Sequence, residues 1–137
     1  MLDIEKIKPN IKQLAEKYNL SLVILFGSQA EQKFLHKESD FDIAYLAKKD
    51  LNLMDESKLI CDLMPIFGSD KIDLTNLKKA GPLLMRRIFS SHKILFCKDL
   101  AQYYQYKIYS MKKYIEDRPL FDLTRKQVKR FLEKYAW

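Results

Sequence analysis

The chain has 137 residues, 47% of them hydrophobic and three of them glycine, and it carries a net charge of +7. That length fits one domain with a core of its own, and the composition excludes a disordered or low-complexity chain. No apolar run approaches the roughly 20 residues that span a bilayer, and the charged start MLDIEKIKPNIKQ lacks the apolar centre of a signal peptide, so the expected compartment is the cytoplasm.

In chain order, Ile4, Ile7, Ile11, Leu14 and Ala15 recur at steps of three and four, which predicts a helix over residues 3–18. SLVILFG, rich in β-branched and aromatic residues and closed by glycine, predicts a buried strand over 21–26. Gly27-Ser28 makes the turn after it, and a short helix fits residues 29–34. FDIAYLA predicts a second strand over 41–47, with Ile43 and Tyr45 facing opposite to Asp42 and Ala44. Asp50 or Asn52 caps a helix that runs to about Leu63 and is ended by Pro65 and Gly68. KIDLTNL predicts a third strand over 71–77, Pro82 opens a helix over 82–90, and HKILFC predicts a fourth strand over 92–97. From Asp99 the pattern is helical to about Asp117; Arg118-Pro119 breaks it, and a last helix fits residues 122–135. Alternating strands and helices predict an α/β fold, a small sheet flanked by helices. Two parts are expected: residues 1–98 as the α/β domain, and residues 99–137 as a helical extension that packs on it or on a partner.

Cys61 and Cys97 sit in apolar stretches without metal-ligand spacing and read as buried thiols. His36 and His92 are isolated, so no zinc pattern is present. The methionines of LNLM and CDLM read as core, and Arg86 and Arg87 as surface residues, one within reach of a phosphate. Residues 1–98 hold 16 basic against 13 acidic side chains, a net +3, and residues 99–137 hold 9 against 5, a net +4. The basic end also holds Tyr103, Tyr104, Tyr106, Tyr109, Tyr114, Tyr135 and Trp137. Such residues pack helices together, anchor a protein interface or stack on nucleic acid, the last being the least favoured here.

The informative stretch is LFGSQAEQKFLHKESDFDIAYL. A strand delivers Gly27-Ser28, and after eleven intervening residues Asp40-x-Asp42 opens the next strand. Glycine lets backbone approach a phosphate with no Cβ in the way. A hydroxyl and the N–H groups of a strand-to-helix turn hold phosphate oxygens. Aspartates two apart on a strand share a face, and such hard oxygen ligands suit Mg²⁺ that takes its other ligands from water and substrate phosphates. Asp73 on the third strand adds a carboxylate that shares the metal or takes a proton from an incoming hydroxyl.

FGS…SDFDIAYL resembles the signature of the DNA polymerase beta superfamily of nucleotidyltransferases. KIDLTNLKKAGPLLMRRIFSSHKILF resembles the later part of its minimal members, the MNT antitoxins that pair with HEPN-domain ribonuclease toxins. The resemblance covers about residues 10–98. It implies a mixed sheet, a triphosphate-binding turn at Gly27 and Ser28, metal ligands at Asp40 and Asp42, and the third carboxylate at Asp73. It also implies Mg²⁺, ATP as substrate, a hetero-oligomer with a HEPN toxin, and transfer of AMP to a tyrosine of that toxin. One departure stands out: many members read GSxARG where this chain reads GSQAEQ, with Glu31 and Gln32 in place of a basic residue and a glycine. That departure keeps open a second reading, a module that neutralises its toxin by contact alone. Small-molecule modification, as by antibiotic nucleotidyltransferases, is a third; the residues after 98 are few for the substrate domain those enzymes carry.

Overall fold

The computed structural model describes residues 3–27, 30, 40–113 and 130. The elements in chain order are α1 (Ile4–Tyr18), β1 (Leu20–Phe26), β2 (Phe41–Ala47), α2 (Leu53–Phe67), β3 (Ile72–Asn76), a 3₁₀ turn (Leu77–Lys79), α3 (Pro82–Ser90) and β4 (His92–Cys97). A further helix, α4, covers residues 100–113. The expected helices over 29–34 and 122–135 lie outside the described residues, apart from Ala30 and Arg130, each of which is helical.

Local chemistry sets the ends of these elements. Asp3 caps α1 by accepting from the Glu5 N–H, and Asn19 closes it in the left-handed conformation with its N–H bonded to the Ala15 carbonyl. Asn52, rather than Asp50, caps α2 and forms a reciprocal capping box with Asp55. The expectation that Pro65 ends α2 is corrected: the helix continues through Pro65 to Phe67, and Gly68 closes it at φ 64°. The proline removes one N–H late in the helix, and burial of Leu63 and Phe67 holds the last turn down, with Phe67 packed on Phe41 at 4.9 Å between ring centroids.

The sheet is mixed, in the order β3-β2-β1-β4. β1 pairs antiparallel with both β2 and β4, and β2 pairs parallel with β3. α2 makes the crossover a parallel pair requires. β1 is central and covered on both faces, which explains its near-continuous apolar sequence. On one face, Val23, Leu25, Ile43 and Tyr45 pack against Ile7, Ile11 and Ala15 of α1 and Leu59, Leu63 and Phe67 of α2. On the other, Leu22, Ile24, Phe26, Ala44 and Leu46 pack against Met85, Ile88 and Phe89 of α3 and Tyr103 of α4. The expected division of β2 between its two faces is therefore borne out, with Ile43 and Tyr45 on the first and Ala44 on the second.

Two apolar readings are corrected. Cys61 is exposed and Cys97 half-buried, because the helical repeat of α2 turns Leu59 and Leu63 inward and Cys61 away from them. Met54, in the first turn of the same helix, is 67% exposed. No helix among the described residues is long and apolar enough to cross a membrane.

Candidate active site

The strand register brings the chemistry to one end of the sheet. Phe26, the last residue of β1, pairs with Asp42 on one side and with His92 on the other, and Asp42 pairs with Asp73. Laterally paired residues project to the same face of a pleated sheet. Asp73, Asp42, Phe26 and His92 therefore form a row across β3-β2-β1-β4 on the face covered by α3 and α4. Asp40 lies just before β2, two residues from Asp42 and exposed.

Gly27 follows Phe26 at the centre of this row with φ 78°, a conformation side chains resist. A Cβ added to Gly27 would collide with the Oδ2 atom of Asp42. The glycine thus does two things: it turns the chain in the left-handed region, and it leaves the Asp42 carboxylate flush against bare backbone. The Gly27 carbonyl accepts from the N–H of Ala30 at 3.1 Å, which closes the turn. Ser28, Glu31 and Gln32 lie outside the described residues.

The carboxylates feel one another. Burial is the largest influence pushing the Asp42 carboxyl above the ordinary carboxylate range; the Arg87 guanidinium opposes it, while the charges of Asp73 and Asp40 and a hydrogen bond with Asp73 reinforce it. Arg87, in the last turn of α3, places Nη2 3.8 Å from Asp42 Oδ2 and its guanidinium carbon 6.0 Å from the centroid of the Phe26 ring. The sequence left Arg86 and Arg87 equal; the packing of α3 brings Arg87 to the acidic row.

Another feature the sequence did not reveal is a His92–Tyr103 pair. His92 Nε2 lies 2.6 Å from Tyr103 Oη. Burial, then the charge of Lys107, pushes the imidazole pKa below its ordinary value, and burial raises that of the Tyr103 hydroxyl. The tyrosine keeps its proton, and the His92 tautomer sets which of the two groups donates the hydrogen bond. On the β4 side of Gly27, a cleft of about 640 Å³ is lined by Ala30, Ser91, His92, Lys93 and Lys107 among others.

The family model described as Polymerase beta, Nucleotidyltransferase matches residues 9–101. The chain belongs to this nucleotidyltransferase family. The fold recurs in solved structures. A chain in a toxin–antitoxin structure with AMP-PNP superposes with a TM-score of 0.70 at 24% identity, covering 86% of this chain and 98% of that one. A structure of a tri-AMPylated Shewanella oneidensis HEPN toxin in complex with MNT antitoxin gives 0.67 at 22% identity, covering 90% and 99%. The toxin–antitoxin pair MntA–HepT gives 0.65 at 23%, covering 88% and 98%. Among curated proteins, none matches this nucleotidyltransferase. The mixed sheet implied by the sequence resemblance is thus the sheet found here.

Among the described residues, no three His, Cys, Asp or Glu side chains are drawn together tightly enough to hold a metal by themselves. The donor set nevertheless fits Mg²⁺, which keeps several waters and is held by one or two carboxylates together with substrate phosphates. Asp42 and Asp73 supply two hard oxygen donors side by side, and Asp42 lies directly against the bare backbone of Gly27.

Proposed function

We propose that this nucleotidyltransferase transfers AMP from ATP to a tyrosine hydroxyl of a HEPN-type toxin and so acts as its antitoxin. The observation that carries the reading is the packing of the Asp42 carboxylate, paired with Asp73, against a glycine turn that admits no side chain. The AMP-PNP bound in one neighbour and the AMPylated HEPN toxin in another support the choice of nucleotide and partner.

In this reading Gly27 and Ser28 hold the triphosphate through backbone N–H groups and a hydroxyl. Asp40 and Asp42, with Asp73, hold Mg²⁺, which when bound neutralises charge on the triphosphate as it departs. Asp73, exposed at the edge strand, takes the proton of the incoming tyrosine hydroxyl. The hydroxyl oxygen bonds to the α-phosphorus, the bond between that phosphorus and the bridging oxygen breaks, and pyrophosphate leaves with its electron pair. Residues 1–98 form the transferring unit, and residues 99–137 form an extension that packs on it or on the partner.

The test is incubation with Mg²⁺, ATP labelled in its α-phosphate, and the product of the adjacent gene. Label on the partner that is lost in Asp40→Ala with Asp42→Ala supports transfer. Tight, unlabelled binding points instead to neutralisation by contact alone.

A further inference from the structure

We propose that Arg87 is a phosphate-binding residue: it is the counter-ion of Asp42 in the metal-free site and passes to the phosphates of the nucleotide once a divalent cation enters. The proposal rests on the reading of Asp40, Asp42 and Asp73 as the metal-holding set.

Three features of Arg87 carry it. First, the contact with Asp42 is a charge contact, not a hydrogen bond: 3.8 Å separates Nη2 from Oδ2. Second, the two partners differ in exposure. The Asp42 side chain is 14% exposed and the Arg87 side chain 64%, so the carboxylate is fixed in the sheet while the guanidinium is free to move through solvent. Third, the guanidinium lies near the ring of Phe26, the residue before Gly27, at a distance where a cation and an aromatic face attract. Its helix is anchored independently by the buried Met85, Ile88 and Phe89.

An ion pair at this distance, with its cation in solvent, adds little to fold stability, so a structural need does not account for it. Electrostatics accounts for it better. Among the described residues, Arg87 is the cation that offsets charge on Asp42, whose other charged neighbours are the carboxylates of Asp73 and Asp40. A divalent cation at those carboxylates repels the guanidinium, whereas the triphosphate arriving beside Gly27 attracts it. The planar fork of arginine matches two phosphate oxygens at once. Residues Phe26 to Gly27 form the path between the two positions.

This exchange predicts two effects of opposite sign, measured by titration calorimetry on the full chain as wild type, Arg87→Gln and Arg87→Lys. Removing the competitor in Arg87→Gln makes Mg²⁺ alone bind several-fold tighter, while the lost phosphate contact weakens Mg²⁺–AMP-PNP by about tenfold or more. Arg87→Lys, which keeps the charge and loses the fork, falls between wild type and Arg87→Gln for Mg²⁺–AMP-PNP. Melting in metal-free buffer confirms that each variant is folded. A wild type that binds both ligands while Arg87→Gln binds Mg²⁺–AMP-PNP equally well overturns the role of Arg87 and leaves the metal site standing. A wild type that binds neither ligand overturns both.

Discussion

Gly27 and Asp42 sit so close that a methyl group on the first would overlap the carboxylate of the second. This closeness ties the turn to the acidic row: the backbone proposed to receive phosphate and the carboxylate proposed to receive metal share one contact. Gly27→Ala must therefore force either the turn or Asp42 out of place. The left-handed conformation alone costs a side chain about 1–2 kcal/mol, so the variant melts several degrees lower and AMP-PNP binding, followed by calorimetry, is lost.

Replacing Asp42 with Asn removes a charge the fold resists. Burial, with Asp73 and Asp40 adding to it against Arg87, already disfavours the ionised Asp42. The amide keeps the size of the side chain and can donate to Asp73. In metal-free buffer at neutral pH the variant is expected to melt no lower than wild type, while transfer to the partner falls to background. A large drop in melting temperature would instead mark Asp42 as structural.

His92 makes stability depend on pH. Its imidazole pKa is pushed below the ordinary 6.5, first by burial and then by Lys107. The folded chain therefore binds a proton less readily than the unfolded chain. The contribution of His92 is fully present above pH 6.5 and is lost as pH falls from there through the depressed folded value. Wild type melts lower at pH 5 than at pH 7.5, and His92→Gln, which still pairs with Tyr103 but does not titrate, flattens that slope. An unchanged slope in the variant would assign the effect to other groups.

Tyr45 tests the opposite face. It is wholly buried, and its hydroxyl donates to Glu56 Oε1 at 2.5 Å, linking β2 to the first turns of α2. Tyr45→Phe leaves the packing and deletes the bond, which is expected to cost about 1.5–3 kcal/mol in chemical denaturation, as for hydrogen bonds to charged groups. Transfer activity is unchanged, since Tyr45 lies on the face away from Asp42.

What could be read from sequence follows from what is local. Pro82 with the apolar spacing of Met85, Ile88 and Phe89 sets α3, and the β-branched run of β1 marks a strand covered on both sides. The order of the strands depends on pairing across the chain, and the composition of SLVILF says only that β1 is buried. Pro65 misled because a breaker was weighed without the anchoring of Phe67, and Cys61 because an apolar neighbourhood was weighed without the helical period. For the site, Gly27, Asp40, Asp42 and Asp73 stood out because their spacing is written in sequence. Arg87 could not be told from Arg86, and the His92–Tyr103 pair did not show, since both depend on the angle at which a helix crosses the sheet.

The central claim is that metal and triphosphate lodge together where Gly27, Asp42 and Asp73 meet. Its most direct test is a crystal of this chain grown with Mn²⁺ and AMP-PNP, with the metal located by anomalous scattering. The account predicts a peak bonded to carboxylate oxygens of Asp42 and of Asp40 or Asp73, at about 2.0–2.3 Å, with the phosphates against the Gly27 turn. A nucleotide bound elsewhere, or with its metal away from these carboxylates, would contradict it.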